Sequence, residues 1–462
     1  MFDTVTRLGA SAAGDYEIER SLRFHRDDSP KLVRTSIGTP SDDKIATWSA
    51  WIKLQGWQKG NAGGERTIFG GRNDSTGYNN MWFNINNDDF FYFHIKNSSN
   101  STVSEFKSKR VFMDYAAWLH VFFVYDSTQG TEANRVKIYF NGVQETTWET
   151  ATYPSENATI PSWCENGENQ YIGVEGATDA EEMDGYMADV YYIDGQAKAV
   201  TDFGAADPIT GQWLPIEYKG TYGDNGFFLN FSDNSNTTAA TLGKDSSGNG
   251  HNFTPSNFSV AAGPGNDSVF DSPTNNYCII DTSDAADSII TDGGLATATT
   301  SGAGHHPNFS TFAVTSGKWY VEGGTISGTS NSVCVWPKEH DTTSLHQDCA
   351  VHNTGSLTNA KGYSLNLQYG STADSDDATV TSYVSSSFTT RMLALDLDNN
   401  KIWGGVDGTW GNNGGTGNPA TGANPAFSSI RDELWAIGSM TTNGHNISFN
   451  FGQLGFTHTP PA

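Results

Sequence analysis

Basic residues are scarce. Against 52 Asp and Glu, the 462-residue chain has 26 Lys and Arg, for a formal net charge of −26. Such a surface repels nucleic acid, whose phosphates require lysine and arginine, and it repels anionic membranes. Long apolar runs are also missing: nothing approaches the ~18 residues that span a bilayer, so no membrane insertion is expected. The opening "MFDTVTRLGASAAGDYEIE" has neither the basic nor the apolar region of a secretion signal. Synthesis in a cytoplasm without Sec-type export is therefore expected. Four cysteines (Cys164, Cys278, Cys334 and Cys349) are too few for a disulfide scaffold. Helical periodicity over a dozen residues does not occur. Nucleophilic Gly-x-Ser-x-Gly motifs and glycine loops opening onto helices are lacking too.

Turn formers and aromatics fill the space. Aromatics make up 12% and glycine contributes 50 residues, which indicates an all-β chain with material for two cores. The stretch "AWLHVFFVYDSTQGTEANRVKIYFNGVQ" shows the pattern. Val136, Ile138 and Phe140 point one way, Lys137 and Tyr139 the other, and Asn141-Gly142 turns the chain. Residues 1–15 are small and polar and read as an arm. Short alternating runs over 16–203 predict one β sandwich. Residues 204–275, rich in turn formers but carrying Phe253 and Phe258, read as an ordered connector with a short strand. Alternation returns over 276–462, as in "RMLALDLDNNKIWGGVDG" and "HNISFNFG", and predicts a second sandwich. The expected fold is two jelly-roll-like β sandwiches joined by that connector.

"SLRF", "TWSAWIK", "WLHVFFVYD", "RVKIYFNGV", "YIGV" and "DGYMADVYYIDGQ" follow one another as the strands of laminin-G-like domains do. The first sandwich resembles that branch of the concanavalin A-like lectin and glucanase superfamily. "SGKWYVEGG", "LALDLDNNKIWGGVDGTW" and "ISFNFGQ" resemble a SPRY domain, a protein-binding sandwich without enzymatic activity. Taken in order, "LGASAAGDYEIERSLRF", "DGYMADVYYIDGQA", "FLNFSDNSNTTAATLGKDSSGNGHNFTPSNFSV" and "GNDSVFDSPTNNY" are similar to virion proteins of tailed phages. That resemblance implies a structural and adhesive virion protein, made in the host bacterial cytoplasm. A tail fibre or appendage binding host surface glycans is the favoured form. A capsid decoration or head-fibre protein and a glycan depolymerase are the alternatives. It further implies other virion proteins, copies of itself as a trimer, and a host glycan or protein as partners.

Local chemistry favours binding over catalysis. The Glu-x-Asp-x-x-Glu strand of the superfamily's hydrolases is absent. The nearest alternating acids, Glu17 with Glu19 and Asp396 with Asp398, flank the arm and a hairpin turn. No enzyme is expected. His340, His346, Cys349 and His352 could gather around zinc, but their spacing matches no zinc module and a polar loop is preferred. The laminin-G-like resemblance implies calcium on rim oxygens, with Asp74, Asp88, Asp89 and Asp126 as candidate ligands. Their ordinary reading is solvated turn residues. Trp57, Tyr78 and Trp163, set among glycines or asparagines outside the clear strands, are candidate sugar platforms. Phe2, Val5 and Leu8 form a short apolar stripe by which the arm would anchor to a partner surface.

Overall fold

The computed structural model describes residues 16–55, 65–72, 80–86, 88–161, 163–176, 181–281, 288–299, 306–327, 331–337, 363–366, 372–374, 379–380, 389–411, 417–428, 430, 434–441 and 446–461. The chain is all-β: among the described residues the regular elements are strands and single 3-10 turns. Two compact units divide it between Asn276 and Tyr277.

The first unit is a sandwich of two antiparallel sheets. One runs Val143–Gln144, Val136–Phe140, Leu119–Asp126, Ile45–Leu54, Gly185–Asp194, Ser21–Phe24, Ser268–Val269, with Phe227–Leu229 also on Gly185–Asp194. The other runs Trp148–Thr152, Thr102–Val111, Phe90–Lys96, Asn80–Ile85, Arg66–Arg72, Gln170–Ile172, Lys31–Arg34, Thr254–Ser256. Period-2 alternation sends one set of side chains from each sheet into a shared core. Trp48 of the first sheet stacks on Phe69 and Phe83 of the second, with ring centroids 5.4 and 5.2 Å away. In the hairpin noted above, Val136, Ile138 and Phe140 are buried and alternate with half-buried Lys137 and Tyr139. Asn141 and Gly142 both take positive φ, 48° and 77°, as a tight two-residue turn requires.

Residues 204–275, read from sequence as a connector, are built into this sandwich. They supply the strands at Phe227–Leu229, Thr254–Ser256 and Ser268–Val269, and Phe227, Leu229, Leu242 and Phe253 to its core. They also cover the outer face of the first sheet. Phe122, Val124, Tyr191 and Ile193 pack there against Phe203 and Tyr218. Lys53 is fully buried, its ammonium 2.8 Å from Asp271 and 2.8 Å from the Asn276 amide oxygen. Trp213 donates its indole N–H to His120 Nδ1 at 3.0 Å, and His120 Nε2 lies 2.8 Å from Ser49 Oγ. This cover explains why Ile45–Leu54 and Gly185–Asp194 are buried along nearly their whole length. The candidate site lies on the outer face of the second sheet, where the chain at Val174 and Glu175 passes close over Gly70.

The second unit is also two antiparallel sheets. One runs Ser288–Thr291, Ala296–Thr299, Asn446–Asn450, Lys318–Ser327, Thr390–Asp396, Lys401–Val406, Thr409–Trp410. The other runs His306–Val314, Trp435–Thr441, Asn331–Pro337, Tyr363–Asn366, Thr372–Asp374, Thr379–Val380. Leu393 and Leu395 are buried, the turn contains Asn400 at φ 54°, and Ile402 of the return strand pairs with Leu395. A cavity of about 20 Å³ near Trp319, Tyr320 and Trp403 has room for one water.

Candidate functional site

In "MWFNI" and "FFYFHI" the residues Met81, Phe83, Ile85, Phe91, Phe93 and Ile95 all enter the core. Alternation therefore turns Trp82, Asn84, Tyr92 and His94 to the opposite face. Antiparallel pairing sets Trp82 directly across from His94, and His94 across from Glu105. In the neighbouring row Asn84 pairs with Thr67 on one side and Tyr92 on the other. A register shift between Thr67 and Phe69 also places Gly70 opposite Trp82. The chain at Val174 and Glu175 crosses so close over Gly70 that a Cβ there would lie 2.7 Å from two of its carbonyl oxygens.

Rings and carboxyls converge on these rows. Trp82 is half-buried and stacks on His94, centroids 4.1 Å apart with planes at 27°. Asn84 donates its amide N–H to Glu65, which lies at the head of the strand Arg66–Arg72. The Glu65 carboxyl lies within electrostatic reach of Glu181. Glu181 adopts φ 62°, a left-handed conformation unusual for a glutamate, and its carbonyl accepts from Thr67 N–H at 3.0 Å. Burial, then the charge and hydrogen bond of Glu181 and the charge of Glu175, push the Glu65 pKa up to about 8. The Trp82 side chain acts weakly against that shift.

A proton count fixes the imidazole. The Tyr92 hydroxyl donates to Glu105 at 2.6 Å, so towards His94 Nδ1, 3.4 Å away, it can only accept. Nδ1 therefore carries the hydrogen and Nε2 is a bare acceptor. Burial, aided by the charge of Lys96, holds the His94 pKa down at about 4, so the ring is neutral at pH 7. His94 Nε2, Asn84 Oδ1, Thr67 Oγ1 and Trp82 Nε1 are all buried without a hydrogen-bond partner. An unpaired buried polar group costs roughly 1–3 kcal/mol. All four lie beneath the surface, under the half-exposed Trp82 ring.

The residues picked out from sequence lie elsewhere. Trp163 is a correction: it is 1% exposed, donates its indole N–H to Gly70 O at 2.8 Å and packs edge-on against Tyr192. Its glycine- and asparagine-rich neighbourhood caps the core, so it offers no platform. Asp89 is likewise corrected. It is buried, ion-paired with Arg66 and accepts from Tyr115 OH at 3.1 Å. Asp126 folds back on its own turn, accepting from Thr128 N–H at 3.2 Å and Gln129 Nε2 at 2.6 Å. Asp88 is exposed in the turn whose N–H groups are held by Asn86. Among the described residues no three metal-ligating side chains come together. Trp57, Tyr78, Asp74, Phe2, Val5, Leu8, His340, His346, Cys349 and His352 lie outside the described residues.

The family model of the concanavalin A-like lectin/glucanases superfamily matches residues 32–199. The first unit has a lectin-like jelly-roll fold. No curated protein matches the chain. Among solved structures, the SPRY domain of human HERC1 is 15% identical with a TM-score of 0.27, over 37% of this chain and 96% of that one. A heptameric SAP-like pentraxin from Limulus polyphemus is 16% identical with a TM-score of 0.29, over 40% of this chain and 80% of that one.

Proposed function

We propose that the first unit is a glycan-binding module, and that it binds on the outer face of its second sheet around Trp82. One observation carries this reading: a half-buried indole, Trp82, held flat against the His94 ring on the outer face of the sheet. A pyranose presents an apolar C–H face to a ring and, at its edge, hydroxyls that both donate and accept. The lectin-like fold is in keeping with this reading.

The face is read as binding rather than hydrolysing. The strand-borne pair of alternating acids that the superfamily's hydrolases use is absent from the sequence. The biological setting rests on the sequence resemblance to virion proteins of tailed phages. On that basis the chain is an adhesive virion component, such as a tail fibre or appendage, that contacts host surface glycans.

A glycan microarray probed with the full chain and with Trp82→Ala tests the reading. Defined glycans retained by the wild type and lost by the variant are the expected result. Equal retention by both, or none by either, would remove the glycan face from the account.

A further inference from the structure

Lys53, Asp271 and Asn276 meet on the first sheet, the opposite sheet from Trp82. Lys53 lies on the strand Ile45–Leu54 and pairs with Tyr186 of the neighbouring strand. Its side chain and that of Asp271 are both 0% exposed. Lys53 Nζ is 2.8 Å from Asp271 Oδ2 and 2.8 Å from Asn276 Oδ1. Trp118 donates its indole N–H to Asp271 Oδ1 at 2.9 Å and so fixes the carboxyl. Asn276 donates from Nδ2 to Ala116 O at 2.8 Å, and the residue reaches solvent. A buried ammonium requires only a carboxylate to balance its charge. Here it also touches a carboxamide carbonyl, so an amine, an electrophile and a base stand together out of water.

We propose that Lys53 and Asn276 join in an intramolecular isopeptide bond, with Asp271 as the group that moves the protons. Asp271 takes a proton from Nζ, and the freed lone pair forms a bond to Asn276 Cγ. Asp271 passes that proton to Nδ2. The Cγ–Nδ2 bond then breaks with its electron pair on nitrogen, and ammonia leaves through the solvent-facing side of Asn276. The second proton lost by Nζ departs with it as ammonium, so the charge of the lysine leaves the protein and Asp271 ends as it began. No oxidant or further reactant is consumed. Holding the three groups in contact makes an otherwise very slow amide exchange effectively unimolecular. Asn276 is the acceptor because an amide carbonyl is a better electrophile than a carboxylate, whose charge repels the attacking pair. The product ties the strand Ile45–Leu54 to the residue at which the first unit ends. A covalent closure over so long a stretch of chain constrains the unfolded state strongly.

Mass spectrometry of the folded full chain, intact and after trypsin, tests it. The intact mass should fall short of the sequence by one ammonia, and the digest should contain a branched peptide joining Lys53 to Asn276, with no cleavage after Lys53. Asn276→Ala, which leaves the buried Lys53–Asp271 pair in place, should have its full sequence mass and be cut after Lys53. Asp271→Asn should slow branch formation roughly a hundredfold. If that variant does not fold, Asp271→Glu, which keeps the base, should still form the branch. Separate, unbranched peptides carrying Lys53 and Asn276 from the folded wild type would overturn the proposal. So would loss of ammonia without a branch, the mark of ring closure at an asparagine elsewhere. A branch from Lys53 to Asp271, formed with loss of water, would overturn the assignment of Asn276. Unslowed branching in folded Asp271→Asn would overturn the role of Asp271.

Discussion

Trp82 and His94 face each other across adjacent strands and stack with centroids 4.1 Å apart. The imidazole is buried and the indole half-exposed, so His94 acts as the floor that fixes the angle of the ring. A cross-strand pair of this kind contributes roughly 0.2–1 kcal/mol to stability. His94→Ala should therefore cost the fold little, yet weaken glycan binding several-fold by freeing the indole. Thermal melts and titrations on the same protein separate the two effects. Unchanged affinity would show that the stack has no part in recognition.

Trp163 should behave in the opposite way. Its side chain fills the core and its indole N–H is bonded to Gly70 O. Replacement by alanine leaves a large cavity, and aromatic-to-alanine changes in cores cost about 3–5 kcal/mol. Denaturant titration of Trp163→Ala should show that loss, with sugar affinity unchanged in the folded protein.

The limits of the first unit can be tested by truncation. Phe227–Leu229 pairs with Gly185–Asp194, and Phe227, Leu229 and Phe253 belong to the core. A fragment covering residues 16–276 should unfold cooperatively. One covering residues 16–203 should lack a sharp transition, because the outer face of the first sheet and part of the core lose their cover. Cooperative unfolding of the shorter fragment would show that residues 204–276 are dispensable.

Stability should fall as pH rises from 6.5 to 8. Burial raises the pKa of Glu65 to about 8 and of Asp189 to about 7, and burial raises Asp184 to about 6. In each case the folded chain keeps a proton that the unfolded chain has released. The stabilising difference is thus full below the ordinary carboxylate range and lost through the raised value. His94, held at about 4, and His120, held at about 3, act with opposite sign. They cost stability only as pH falls below ~6.5. Above that value the two histidines are neutral in both states, and Glu65 and Asp189 still titrate. A melting temperature that declines between pH 6.5 and 8, less steeply in Glu65→Gln, is expected; a rise would contradict these assignments.

The sandwich was legible where alternation is local. Val136, Ile138 and Phe140 announce their face within five residues, and Asn141-Gly142 announces its turn. The same alternation in "MWFNI" and "FFYFHI" already separates Trp82 and His94 from the core set. Neither carries the loop setting that marks a platform aromatic in sequence, and Trp163, which does, is core. The Glu65–Glu181 pair has no local signature, since two distant segments bring it together. The two acids share no strand, so alternation along one strand cannot reveal them. Lys53 reads as a solvent-facing residue of an alternating strand, yet it is buried because Asp271 and Asn276 close over it. Cover supplied from far along the chain leaves no trace in the pattern of the strand it covers.

The most direct test follows the Trp82 indole N–H by nuclear magnetic resonance during titration with a glycan that the protein retains. The resonance is assigned by its disappearance in Trp82→Phe. It should shift progressively and saturate with the same midpoint as binding, while the buried Trp163 N–H stays in place. Saturable binding that moves other indole signals and leaves Trp82 unchanged would contradict the account.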